Sequence, residues 1–159
     1  MTQHRLVVLG SMDEFVELVK LARRQGIYTI VCDGYENGPA KAFADKAYTI
    51  DVRDIDGVAD MCRAEQADGI IASFSDLLAE CLVNIAAKAG LKCYCTPEKI
   101  RYLREKPLMK EMFRQLGVPT PTSIRLNADF ADEELNAVGL PCVIKPANGY
   151  GSRGIYVVN

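Results

Sequence analysis

The chain has 159 residues, 49% of them apolar and 25% charged, which suits one ordinary domain, or one domain and part of another, and sets disorder aside. A formal net charge of -2 leaves no electrostatic footprint for nucleic acid, and no apolar run is long enough to span a bilayer. The opening Met1-Thr2-Gln3-His4-Arg5 runs straight into a strand-like segment, without the apolar core and cleavage pattern of a secretion signal, so a cytoplasmic protein is expected.

Arg5 to Leu9 reads as a buried strand ending in a turn at Gly10. Phe15, Leu18, Val19 and Ala22 then recur at helical spacing up to Gly26. Ile27 to Cys32 is the next strand, Ala40 to Ala44 a short helix, Lys46 to Ile50 a strand, and Ile55, Val58, Ala59 and Cys62 one face of a helix. Gly69 to Ser73 is a further strand, followed by a helix that Ser75 caps and Gly90 closes. Such alternation with short connections predicts a parallel sheet covered on both faces, whose ligand crevice lies at the strand C-termini. By position Asp33, Asp45, Ser75 and Asp76 are candidate substrate contacts there, although Asp and Ser in such places also serve as caps. Gly10-Ser11 has a single glycine and lacks the dinucleotide fingerprint, so a tight βα turn is its simplest reading.

The six cysteines, Cys32, Cys62, Cys81, Cys93, Cys95 and Cys142, lie in apolar segments and form no C-x-x-C, which suits reduced core residues. Cys93 and Cys95 share one face of an expected strand over Leu91 to Cys95, compatible with packing or with a redox pair. His4 is the only histidine, which argues against a Ser-His or Cys-His nucleophile and a histidine metal site. Thr96-Pro97 can start a short helix. Arg101 to Pro107 then leads into a helix with an apolar face of Met109, Met112, Phe113 and Leu116, ended by Gly117 and Pro119. Arg104 and Lys106 crowd the start of that helix, where the macrodipole disfavours cations; they are either solvated or answered by an anion. Ser123 to Leu126 reads as a strand, and Leu135 and Val138 mark a short helix capped near Asn127 or Asp129.

The last stretch, Leu140 to Val158, reads as strand, glycine-rich loop, strand. Gly149, Gly151 and Gly154 fit G-x-G-x-x-G, but the β-branched run after them is no helix, so a dinucleotide loop is ruled out. No lysine follows Gly154, which rules out a phosphate loop of the G-x-x-x-x-G-K type. A glycine flap between two strands remains, in which small residues let backbone N-H groups approach phosphate oxygens. Protein kinases place their lysine after such a flap, whereas Lys145 stands before it. A plain hairpin with an edge lysine would also fit the pattern.

With its apolar strand ending in Lys145-Pro146, its G-x-G-S-x-G run and its second apolar strand, Pro141 to Val158 resembles the glycine loop of the ATP-grasp superfamily. It is similar there to the carbamoyl phosphate synthase, biotin carboxylase and phosphoribosylamine-glycine ligase group. Glu105-Lys106 and Gly117-Val118-Pro119 resemble the superfamily's Asp-Lys and Gly-Val-Pro elements, with Glu105 a mild departure, and Asp33 to Asp51 resembles part of its preceding domain. The resemblance implies a parallel Rossmann-like pre-ATP-grasp domain over residues 1–103, then the start of an α+β ATP-grasp lobe over 104–159. It implies ATP as ligand, held by Lys106, Lys145, Gly149, Tyr150, Gly151, Ser152, Arg153 and Gly154, and no catalytic or metal residue within this chain. In the family the adenine hinge and the Mg2+ ligands follow the flap, so the chain is expected to be an N-terminal fragment with little or no turnover of its own. The complete enzyme would join a small carboxylate, or bicarbonate, to an amine through an acylphosphate. Apolar surface left by a truncated lobe would allow a homodimer. The alternative is a non-catalytic binding module that keeps only the first domain.

Overall fold

The computed structural model describes residues 3–147 and 153–159. The chain divides into two compact units, Met1–Ile100 and Arg101–Asn159.

In the first unit, β1 (Arg5–Leu9), α1 (Asp13–Arg24), β2 (Tyr28–Cys32), a 3-10 helix (Pro39–Phe43), β3 (Lys46–Tyr48), α2 (Ile55–Ala64), β4 (Gly69–Ile71) and α3 (Asp76–Ala89) alternate as expected. All strand pairs are parallel, in the order β3-β2-β1-β4. Val7 lies opposite Ile30 on one side and Ile70 on the other, which makes β1 an interior strand. Successive side chains of a strand point to opposite faces, so a sheet covered on both needs continuous apolar runs. On one face Val7, Leu9, Ile30 and Cys32 pack with Val58 and Cys62 of α2 and with Leu82 and Ile85 of α3. On the other, Val8 and Val31 meet Phe15 and Val19 of α1 and Ala40. Full burial of each large side chain contributes about 1.5–3 kcal/mol, so these two layers are the main source of stability in this unit.

The helix ends follow local chemistry. Ser75 Oγ accepts from the Leu78 N-H at 3.4 Å at the start of α3, and Gly90 ends it with φ +74°. Asp54 caps α2 by accepting from the Gly57 N-H at 2.9 Å. The expected helix over Ala40 to Ala44 is instead the tighter 3-10 form, introduced by Pro39. The expected strand over Leu91 to Cys95 does not form. Leu91, Cys93 and Cys95 do turn toward the core while Tyr94 is exposed, so the alternation is real, but the segment pairs with no strand among the described residues. α4 (Pro97–Arg104) follows, with Thr96 Oγ1 accepting from the Lys99 N-H at 3.3 Å and Ile100 packed into the first unit's core.

In the second unit α5 (Lys106–Gln115) begins directly after Glu105, with Pro107 in its first turn, where the missing N-H costs nothing. Arg101 to Arg104 form the last turn of α4, and the chain passes through Glu105 alone into the expected helix. Ser123 to Leu126 is not a strand, for it has no ladder partner among the described residues. α6 (Asp132–Asn136) starts after Ala131, and not after Asn127 or Asp129. An alanine cannot cap by its side chain, and Glu134 reaches back to accept from the Ala131 N-H at 3.0 Å. β5 (Cys142–Ile144) and β6 (Tyr156–Val158) form an antiparallel pair in which Val143 faces Val157. Among the described residues no helix is long and apolar enough to cross a membrane.

Candidate functional site

The β5–β6 pair brackets the glycine-rich stretch. Lys145 follows β5 directly and is exposed; Arg153 and Gly154 form the turn before β6. Gly154 has φ +70°, and a Cβ there would lie 3.1 Å from Pro146 Cγ. A side chain at 154 would thus be strained and would press on the ring of Pro146, the residue after Lys145. Gly149, Tyr150, Gly151 and Ser152 lie outside the described residues.

Lys106 is the first residue of α5 and is half-buried. One helical turn on, in a place that motif reading passed over, stands Lys110, also half-buried, with Nζ donating to the Pro121 carbonyl at 3.5 Å. Burial, then the charges of Lys145 and Arg114, hold the Lys110 ammonium below the ordinary lysine range. Arg114 is already engaged, donating to Glu111 at 2.9 Å and to Ser123 Oγ at 3.2 Å. Among the described residues no carboxylate forms an ion pair with Lys110 or Lys145. The spacing of Lys106 and Lys110 at i and i+4 is readable in the sequence.

In the first unit the strand C-termini carry a tightly hydrogen-bonded loop. Asp33, after β2, is 8% exposed, accepts from Ser11 Oγ at 2.9 Å through Oδ2 and from the Tyr35 N-H at 3.1 Å through Oδ1. Lys41 Nζ donates to the Asp33 carbonyl at 3.0 Å, the Tyr35 carbonyl at 2.5 Å and Thr49 Oγ1 at 2.9 Å. Ser11 is fully buried, and a Cβ at Gly38 would fall 1.8 Å from its Oγ, so only glycine fits there. Gly10, at φ +114°, packs so close that a Cβ would lie 2.6 Å from the Phe15 ring, which agrees with a tight βα turn. The other candidates scatter. Asp45 stands before β3, at the opposite end of the sheet, where it accepts from Thr29 N at 2.8 Å and pairs with Arg23 at 3.1 Å. Ser75 is the α3 cap and Asp76 begins that helix.

At that same opposite end Glu65, 8% exposed, receives Lys46 and Tyr48 on Oε1, each at 2.5 Å, and Arg5 on Oε2. Hydrogen bonds from Lys46 and Tyr48, and then from Arg5, hold its carboxyl at about 2. The group ties β1 and β3 to the end of α2 and has the character of a brace. The cysteines are all unpaired, and burial pushes the Cys32 and Cys62 thiols up to about 12 and about 11, the opposite of a reactive thiol. Among the described residues no group of three His, Cys, Asp or Glu side chains could hold a metal ion.

No family model matches the chain. The formate-dependent phosphoribosylglycinamide formyltransferase of Methanocaldococcus jannaschii is 32% identical over 161 residues, spanning 97% of this chain and 40% of that protein. The crystal structure of phosphoribosylglycinamide synthetase from Anaerococcus prevotii superposes with a TM-score of 0.73 at 25% identity, over 98% of this chain and 39% of that one. N5-carboxyaminoimidazole synthetase from Staphylococcus aureus, complexed with ADP, shares the fold with a TM-score of 0.76 at 18% identity, over 99% of this chain and 42% of that one. The chain thus spans about 40% of the length of the curated relatives it matches.

Proposed function

The chain corresponds to the N-terminal portion of an ATP-grasp protein, and from that premise we propose that the complete protein is an ADP-forming ligase that activates a small carboxylate, or bicarbonate, as an acylphosphate for attack by an amine. The observation that carries this reading is the antiparallel pairing of β5 with β6, with Lys145 directly after β5 and Gly154, at φ +70°, close to Pro146 in the turn before β6. The names of the relatives support it, since one is formate-dependent and another was crystallised with ADP.

Transfer of a γ-phosphoryl group is limited by positioning and by charge, because the phosphate oxygens repel any incoming carboxylate. Lys106 and Lys145 neutralise phosphate charge, and the backbone N-H groups from Gly149 to Gly154 cover the β and γ phosphates. Tyr150, Ser152 and Arg153 add side-chain contacts. The described residues provide no ligand set for Mg2+. We assign the metal ligands to the portion of ATP-grasp enzymes that this chain does not span. On this assignment the first 103 residues supply the substrate side, residues from 104 onward supply the phosphate side, and the chain by itself turns over little.

The test is Lys145→Ala in the complete protein. Loss of a charge-assisted contact to phosphate is expected to lower ATP-dependent turnover by about 100-fold or more. Unchanged kinetics would remove Lys145 from the site, and ATP binding without any turnover by the unmutated protein would favour a binding module.

A further inference from the structure

Phe74 stands three residues past β4, at the C-terminal edge of the first unit's sheet, and is 75% exposed. Its backbone is left-handed, with φ +64°. Gln66, at φ +51°, is the other non-glycine residue of this kind among the described residues, and it follows the end of α2, where the left-handed form helps to satisfy the last carbonyls of a helix. Phe74 instead precedes a helix, next to the Ser75 cap, and a bulky aromatic side chain is poorly suited to positive φ. An apolar residue ahead of a cap can staple itself to the helix, but a ring so exposed gains little from that. The ring is nevertheless held. It meets Phe15 edge-on, with centroids 5.8 Å apart and planes at 81°, and Phe15 is itself buried and packed against Gly10 in the turn after β1. A strained backbone and an aromatic contact thus set this ring beside the β1 turn and not in the core. Strain of this kind gathers at ligand sites.

We propose that Phe74 is a substrate-contacting residue, whose exposed ring packs against the flat, apolar body of the carboxylate or of the amine that attacks it. This rests on the reading above, in which the first 103 residues supply the substrate side, and adds to it the substrate class: one of the two small molecules carries a ring. With bicarbonate as the acid, the amine supplies that ring. Parallel sheets of this kind take ligands in the crevice past their strand C-termini, and there β1 is flanked by β4 on one side and β2 on the other. Tyr35, three residues past β2 and 67% exposed, is a second ring at the same edge. An aromatic side chain offers a ligand a large contact area while fixing only two torsions.

The experiment is an NMR titration of two matched pairs, benzoate with acetate and benzylamine with methylamine, into the complete protein and its Phe74→Asn and Phe74→Tyr variants. ATP titrations and ligand-free melting curves accompany it. The unmutated protein is expected to bind the ring-bearing member of one pair about tenfold more tightly than its bare counterpart, and which pair it is tells whether the carboxylate or the amine lies on Phe74. Phe74→Asn should abolish that preference and Phe74→Tyr keep it, with ATP affinity unchanged in both. Without ligand, Phe74→Asn should melt at or above the temperature of the unmutated protein, because asparagine adopts positive φ more readily. No preference for either ring in the unmutated protein, a preference that survives Phe74→Asn, or a lower melting temperature that shows the ring to be held for packing overturns the inference while leaving the ligase reading intact. Absence of ATP binding by the unmutated protein overturns the reading on which it rests.

Discussion

The two units invest their apolar residues differently. In the first, Val7, Val8, Leu9, Ile30, Val31, Leu82 and Ile85 are fully buried in two layers about a parallel sheet. In the second, α5 buries no residue completely, and Val143, Tyr156 and Val157 of the hairpin are 57%, 66% and 67% exposed. What stands out there is the placement of lysines and glycines. Free energy of folding therefore concentrates in the first unit, and the second holds charges in positions that folding alone does not reward. Substitutions in the first should register in melts, and those in the second in ligand titrations.

The strongest way to break this contrast is a pair of substitutions, one in each unit. Leu82→Ala should cost about 2–5 kcal/mol in urea unfolding, through lost transfer energy and the cavity left behind. Val157→Thr on the exposed hairpin should stay within about 0.5 kcal/mol. Equal losses would mean that the second unit is as tightly packed as the first.

A pH titration sharpens the comparison further. The Glu65 carboxyl is held at about 2 against an ordinary 4.5. Because the folded value is the lower, its contribution is fully present above 4.5 and is lost as the pH falls from there through about 2. Acid should therefore loosen the first unit over that window, as followed by circular dichroism, and Glu65→Gln should flatten the dependence. Smallest of all, Ser75→Ala removes the cap of α3 and should cost about 1 kcal/mol in the same urea assay.

The features legible in the sequence were those set by near neighbours. The apolar run of β1, the Ser75 cap, the Gly90 stop and the strand-glycine-strand order of the last stretch each depend on a few adjacent residues, and each appears in the fold. Leu91 to Cys95 and Ser123 to Leu126 have strand-like composition but no strand, because a ladder requires a partner that local pattern does not name. Asp45 looked like a strand-end ligand; its contacts with Thr29 and Arg23, which place it at the other end of the sheet, come from distant residues.

The interior position of β1 has a consequence for synthesis. Leu6 pairs with Thr29 and also with Gly69, so β1 is completed on its second side only by β4. As the chain leaves the ribosome, β1, α1 and β2 can assemble early, but one edge of β1 stays open until Ile71 has emerged, a long-range closure of the kind that slows folding. During that interval the edge of β1 at Val7 and Val8 is open to pairing with a neighbouring nascent chain.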